Sequence, residues 1–345
     1  MQCRAVSMRP NERIYWMAGS IVIAMLGLFV GRMAVTAHEP NTATPELEAI
    51  PTTVPKRVPV AVPAQPRQPE PRVPASEILR YAEPNKLFLR SSVALVMDER
   101  EGIMLYERNI DESRPIASLT KLMTAVVILD AKLPLGELIE ITRADRDRLK
   151  GSKSRLRYGT VLTRHDVLHV ALAASDNRAA AALARTYPGG SEAMIEAMNV
   201  KATELAMTQT HFADASGLHK TNRSSARDLL KLASAIYDYP LVSAMTTDRR
   251  FRVIDKHSDT EIAFGNTNSL VHRDNWNISL SKTGYTAEAG NCILMRTTIA
   301  ERPLVIVLLN SWGKLSKYGD SNRIRTWLLD AERKATTHAR SAAST

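Results

Sequence analysis

The sequence predicts a mixed fold of the α/β (α+β) class, with an antiparallel sheet built from both ends of one domain and packed with a helical region. Three observations carry it. Short apolar runs at residues 92–97 and 103–106 flank the turn-forming stretch 98–102, the pattern of a β-hairpin. Helical periodicity then dominates from Ser118 to about Tyr237. Strand-like runs return between Phe251 and Leu309. Strands at both ends with helices between them place one sheet across the two ends of the domain.

Composition sets the outer limits. The 345 residues are 44% apolar, 24% charged and 5% aromatic, ordinary values that exclude collagen, full-length disorder and a multi-span membrane protein. The net charge of +10 is uneven: +3 in residues 1–37, 0 in 38–75 and +7 in the rest. Cys3 and Cys292 lie far apart in sequence, so a disulfide framework is not expected.

Residues 1–37 read as an export signal or a membrane anchor. Arg4, Arg9 and Arg13 precede the uncharged run 14–31, and Val35-Thr36-Ala37 offers a small-residue cleavage site. Uncleaved, residues 14–31 are just long enough to tether the chain to the inner membrane. Either way the arginines stay cytoplasmic and the remainder is exported, which predicts a periplasmic protein. Residues 38–75 form a proline-rich linker, with ten of the 17 prolines between Pro40 and Pro74. Such a segment samples extended polyproline conformations and reaches at most ~120 Å at ~3.1 Å per residue.

The folded domain is expected over 76–331. After the hairpin, helices are predicted at 119–129, 165–173, 178–185, 192–207 and 226–237. Strands follow at 251–254, 261–264, 278–281, 291–298 and 304–309, then an amphipathic helix at 321–330. The polar, small-residue tail 332–345 reads as flexible.

Three short elements carry chemistry. Ser118 and Lys121 stand three residues apart at a helix start, so they share a face and a neutral lysine can take the serine proton. Ser118 also lies in the positive field of the helix N-terminus. The same spacing recurs at Ser279/Lys282 and Ser311/Lys314, and alone it is as readily a capping serine beside a surface lysine. Ser175-Asp176-Asn177 lies between two helical stretches, where an ordinary N-cap is the simpler reading. Lys282-Thr283-Gly284 ends an apolar strand, with glycine permitting close approach of a ligand.

Together and in this order, the three elements resemble the motif set of penicillin-binding proteins and class A β-lactamases. Over residues 80–331 the chain resembles the low-molecular-mass penicillin-binding proteins, the serine D-Ala-D-Ala peptidases of peptidase family S11. Met198-Asn199, Ala202, Leu205, Met207, Thr210, Phe212 and Gly217-Leu218 look like that family's signature after the Ser-x-Asn loop. The family usually has glycine where Ala206 stands, a departure confined to a local turn. The stretch from Phe264-Gly-Asn-Thr-Asn268 through Arg273-Asp-Asn-Trp-Asn277 to Ala289-Gly-Asn-Cys292 looks like the D-alanyl-D-alanine endopeptidase branch. So does Asn177-Arg-Ala-Ala-Ala followed by Tyr187-Pro-Gly-Gly190.

The resemblance implies a serine β-lactamase/DD-peptidase-like fold and a role for each residue. Ser118 would attack the D-Ala carbonyl and form an acyl-enzyme, with Lys121 as base and Lys282 helping to depress its pKa. The N–H groups of Ser118 and Tyr285 would form the oxyanion hole. Ser175 would relay a proton to the leaving amine, and Asn177 would hold the substrate amide. Lys282 and Thr283, beside Gly284, would bind the carboxylate next to the scissile bond. The implied partners are peptidoglycan peptide stems, with β-lactams as covalent inhibitors and no nucleic acid.

Cleavage of D-Ala-meso-diaminopimelate cross-links is the favoured activity, with D-alanyl-D-alanine carboxypeptidase as the alternative. A β-lactamase would need a deacylating glutamate, for which Glu192 and Glu196 are nearest but lack the pattern. A non-catalytic wall-binding or β-lactam-sensing module is the remaining class. No metal or cofactor is expected: His211, His219, His257 and His272 lack ligand spacing. Seven basic groups between Arg143 and Arg157 read as a solvated face or an attraction to the anionic wall. Trp276 reads equally as a cleft wall or as core.

Overall fold

The computed structural model describes residues 73–343. The export signal or anchor expected over 1–37, and all but the end of the linker, lie outside the described residues.

The described chain opens with helix α1 (Ala75–Tyr81), followed by the hairpin β1 (Ser91–Asp98) and β2 (Ile103–Arg108). A two-residue strand β3 (Arg114–Pro115) leads through a 3-10 turn, Ala117–Leu119, into α2 (Thr120–Asp130). The helical region continues with β4 (Leu138–Glu140), β5 (Val161–Thr163), α3 (Arg164–Ala173), α4 (Asn177–Arg185) and α5 (Gly190–Glu204). It ends with β6 (Arg223–Ser224), α6 (Ala226–Ala235) and α7 (Pro240–Thr247). A small hairpin, β7 (Arg250–Ile254) and β8 (Glu261–Gly265), precedes three long strands, β9 (Asn277–Thr286), β10 (Gly290–Ile299) and β11 (Arg302–Ser311). Helix α8 (Ser316–Ala343) closes the domain.

The main sheet has the order β2-β1-β11-β10-β9, and every pairing is antiparallel. It is built from both ends of the domain, as the strand–helix–strand order predicts. Side chains alternate between its two faces. Val93, Leu95, Val305, Val307 and Leu309 enter one core with the helical region. Ala94, Val96, Leu304, Ile306 and Leu308 enter a second core under α8. Both faces are covered, so the central strands read as nearly continuous apolar runs rather than as alternating ones.

Four expectations need correction. The hairpin at 251–254 and 261–264 pairs with itself and stays out of the main sheet. The strand expected at 278–281 runs on to Thr286, so Lys282-Thr283-Gly284 lies inside it rather than at its end. Helices α1 and α7 were not anticipated. Each starts at a proline, as N-cap for α1 and first residue for α7, where the missing N–H costs nothing.

The tail read as flexible is instead helical to Ala343. Ile324, Leu328, Ala331 and Ala335 are all buried and recur at helical spacing. Lys334 Nζ lies 3.3 Å from a Glu83 carboxylate oxygen, and the His338 and Tyr81 rings stand 5.7 Å apart. The small residues mistaken for a loose tail prolong the apolar stripe against α1 and the sheet.

At the end of α5, Ala206 adopts φ +53°. Its N–H donates to Thr203 O at 2.9 Å, and that of Met207 to Ala202 O at 2.8 Å, the double closure of a Schellman turn. Glycine suits this turn, and alanine here accepts a left-handed strain.

Candidate active site

The 3-10 turn runs straight into α2, so Ser118 and Lys121 face the same way. Lys121 Nζ donates to Ser118 Oγ at 3.1 Å, to Asn177 Oδ1 at 2.6 Å and to the Ser216 carbonyl at 2.7 Å. Lys121 is fully buried, and all three acceptors are neutral.

The Ser175-Asp176-Asn177 loop divides its work. Asp176 is the N-cap of α4, accepting from Ala179 N–H at 3.0 Å. The capping reading therefore holds for the middle residue alone. Ser175, held at φ +57°, accepts a 2.8 Å hydrogen bond from Lys282 Nζ. Asn177 reaches Lys121 through its oxygen and Ser152 Oγ through its nitrogen, at 2.9 Å.

Edge strand β9 supplies the facing wall. Lys282 is 1% exposed and also donates to the Thr283 carbonyl at 3.1 Å. Thr283 Oγ1 lies 2.8 Å from Thr267 Oγ1. A Cβ at Gly284 would stand 3.0 Å from Ala117 Cβ, Ile116 O and Ser118 N, so glycine lets β9 close on the nucleophile turn. Tyr285, at the strand's end, is exposed. All eight residues singled out from the sequence thus lie on three elements around one cleft. Ser279 and Lys282 both lie within β9, while Ser311 ends β11 and Lys314 lies in the turn before α8, so neither pair shares a turn of helix.

One further segment, of which sequence reasoning notes only Gly217-Leu218 as part of the family signature, receives no role there. The Asp214 carboxylate accepts from the N–H groups of Ser216, Gly217 and His219, each at 2.6 Å. This gathers the loop that presents the Ser216 carbonyl to Lys121. Gly217 has φ +84°, and a Cβ there would fall 1.9 Å from Ala117 O. The signal was available as Asp-x-Ser-Gly, an Asx-turn pattern.

Electrostatics follow from burial. Desolvation lowers the Lys121 pKa to about 8, and Asp214, Asp176 and Asp147 oppose that shift. Burial, with the Lys121 charge next, holds Lys282 well below the usual lysine range. Burial is the first cause of both depressions, and the two neighbouring cations repel one another.

The remaining sequence candidates sit elsewhere. Trp276 is buried in the core under α8, with its N–H 3.3 Å from Asn322 Oδ1. Glu196 lines a surface groove with Asp130 and Lys201. Cys292 is buried, and desolvation pushes its thiol up to about 11. The basic stretch is partly tied down, Lys150 to Glu288 and Arg155 to the Ala263 carbonyl. Among the described residues no group of three or more His, Cys, Asp or Glu is arranged to hold a metal.

A serine–lysine pair, a second serine held by a second buried lysine, and a Lys-Thr-Gly edge strand on this α+β frame define a class of active-site-serine acyl-transfer enzymes. The sequence profile of the D-alanyl-D-alanine carboxypeptidase family, peptidase S11, matches residues 81–313, and the chain belongs to that family. It is a serine D-Ala-D-Ala peptidase and a low-molecular-mass penicillin-binding protein. It is 46% identical to the D-alanyl-D-alanine endopeptidase of Pseudomonas aeruginosa over 240 residues, 70% of this chain and 77% of that one. The D-alanyl-D-alanine endopeptidase of Escherichia coli is 44% identical over the same shares. The Streptomyces K15 DD-transpeptidase structure superposes with a TM-score of 0.65 at 26% identity, covering 70% of this chain and 98% of that one.

Proposed function

We propose that the protein is a D-alanyl-D-alanine endopeptidase that hydrolyses D-Ala-meso-diaminopimelate cross-links in peptidoglycan through an acyl-enzyme on Ser118. The single observation behind the chemistry is the dry Lys121 ammonium site, within hydrogen-bond reach of Ser118 Oγ and Asn177. The similarity to two endopeptidases supports the choice of bond.

Neutral Lys121 takes the Ser118 proton as Oγ bonds to the D-Ala carbonyl carbon. The backbone N–H groups of Ser118 and Tyr285 receive the oxyanion. The leaving amine takes a proton through Ser175, which Lys282 holds, while Asn177 positions the substrate amide. Water then hydrolyses the ester. The carboxylate beside the scissile bond settles on Lys282 and Thr283. Its negative charge favours protonated Lys282, against the desolvation that lowers that lysine's pKa.

That Lys/Thr pair serves a terminal D-alanine as well as the D-centre of diaminopimelate. Mass spectrometry of products from a cross-linked muropeptide dimer and from a pentapeptide separates the two. Conversion of dimer to monomers supports the endopeptidase. Loss of one alanine from the pentapeptide, with the dimer intact, replaces it with the carboxypeptidase. Penicillin forms a stable adduct on Ser118; its rapid turnover with no trapped adduct would overturn the peptidase reading in favour of a β-lactamase.

The enzyme works in the periplasm, exported by residues 1–37, with the proline-rich stretch as spacer and a catalytic domain that includes α1 and the whole of α8. Among the described residues no helix is long and apolar enough to cross a membrane. A tether through residues 14–31 lies outside them, and the mass of the mature exported protein decides between cleavage and anchorage.

A further inference from the structure

Thr267 lies between β8 and β9 and meets the cleft through one atom. Its Oγ1 stands 2.8 Å from Thr283 Oγ1, and either hydroxyl can be the donor. Thr283 is buried and Thr267 is exposed, so the pair sits where the cleft wall meets solvent. The backbone around Thr267 is locked. Its N–H donates to the Ala173 carbonyl at 3.0 Å, at the end of α3 and just before Ser175. Its own carbonyl accepts from the Tyr318 hydroxyl at 2.9 Å. On one side, Asn266 Nδ2 donates to the Thr246 and Asp248 carbonyls at 2.8 and 2.9 Å. On the other, Asn268 Nδ2 donates to Ser281 Oγ at 2.8 Å. The segment 266–268 thus holds β9 at Ser281 and at Thr283, the two neighbours of Lys282, and ties both to the helix that leads into the Ser175 loop.

Counting donors gives Thr267 a task. A carboxylate only accepts, and a threonine hydroxyl has a single proton. Lys282 Nζ already donates to Ser175 Oγ and to the Thr283 carbonyl, which leaves one of the three donors of an ammonium for the substrate. The other carboxylate oxygen therefore needs the Thr283 proton. If Thr283 donated to Thr267, the substrate would meet a lone pair instead. We infer that Thr267 is a positioning residue for the carboxylate beside the scissile bond: its hydroxyl donates to Thr283 Oγ1, which turns the Thr283 proton toward that carboxylate. The inference rests on the carboxylate role given to Lys282 and Thr283 above. Its β-branched side chain confines the Thr267 hydroxyl to few directions, and its anchored backbone sets the donor in place before the substrate arrives.

The test uses two N-acetyl-D-alanyl thioesters that differ in the leaving group: thioglycolate, which carries a carboxylate, and ethanethiol, which lacks one. Thiol release gives kcat and KM for each. Thr267→Val removes the hydroxyl at nearly constant shape. It should lower kcat/KM for the thioglycolate ester about fivefold, mainly through KM, the scale of one neutral hydrogen bond. The ethanethiol ester should be turned over as by wild type, and Thr267→Ser should restore the thioglycolate rate. In a Thr283→Val background, Thr267→Val should change nothing further, because it acts through that hydroxyl. An unchanged thioglycolate rate in Thr267→Val would overturn the inference, as would an equal loss on both esters, which marks a merely structural role. A further loss in the Thr283→Val background would place Thr267 on the carboxylate directly and also reject positioning. The choice of bond is judged apart: a wild type that turns over both thioesters but leaves the cross-linked dimer intact refutes the endopeptidase reading, while the variants are still decided by the thioesters.

Discussion

The cleft and the rest of the domain both bury cations, and they treat the arginines and the catalytic lysines oppositely. Arg302, 2% exposed, meets Asp98, Glu101 and Glu332, and donates to the Val73 carbonyl. Arg296 lies 3.0 Å from the Glu99 carboxylate, and Arg164 lies 2.7 Å from that of Glu137. Lys121 and Lys282 are equally buried, yet neither forms an ion pair, and their hydrogen bonds go to hydroxyls, an amide and carbonyls. Left-handed backbone shows no such division: among the described residues Ala117 and Ser175 in the cleft hold φ of +46° and +57°, and seven other non-glycine residues outside it also have positive φ. The buried arginines, whose charge only has to be tolerated, are neutralised by carboxylates, although Lys317 outside the cleft is buried with only the Asn291 amide oxygen as acceptor among the described residues. Where a proton has to move, the fold leaves the charge uncompensated and the pKa low.

The sharpest test of that contrast is Lys121→Met. Removal of the base should slow Ser118 acylation by penicillin about 10³-fold or more, within the range for general base catalysis. Stability should not fall with it. With a pKa near 8 in the fold against 10.5 when exposed, a protonated Lys121 opposes folding by roughly 3 kcal/mol at neutral pH. An apolar side chain of similar length relieves that penalty. Chemical denaturation of Lys121→Met should show equal or greater stability than wild type, and a large loss would break the comparison.

The opposite result is expected on the other side of the sheet. Asp98→Ala removes the most buried of the three carboxylates around Arg302 and should cost up to about 3–5 kcal/mol of unfolding free energy, less whatever Glu101 and Glu332 make good. The Ser118 acylation rate of the folded fraction should be unchanged, which stopped-flow trapping with a fluorescent penicillin measures.

Much of this was legible beforehand, and the gaps have physical causes. Lys282 and Thr283 interrupt the apolar run of β9 because that stretch faces the cleft, so sequence patterning ended the strand too early. The alanines beyond Asp330 carry little hydrophobic signal, and only the partner surface shows that they continue a stripe. The residue types of the site could be read in order from three motifs. The backbone groups could not: the Ser216 carbonyl and the close approach of Gly217 depend on how a loop folds around Asp214.

The pH profile offers a smaller effect. Lys121 must be neutral to accept the serine proton, so the acylation rate should rise with pH and level off above about 8. Below that midpoint it should drop about tenfold per pH unit. A rate independent of pH between 6 and 9 would show that Lys121 is already neutral there, or that another group is the base.

The smallest effect lies in strain outside the cleft. Ala206 occupies a left-handed Schellman position at an exposed helix end, where a Cβ is disfavoured and no chemistry depends on it. Ala206→Gly should therefore stabilise the protein by about 0.5–1 kcal/mol, the left-handed penalty less the extra freedom glycine brings to the unfolded chain. Acylation kinetics should not change. Like the other left-handed residues outside the cleft, Ala206 serves no step of the reaction, and its relief should carry no functional cost. A slower acylation rate in Ala206→Gly would mean that the α5 end, through the loop that presents Ser216, helps to set the position of Lys121.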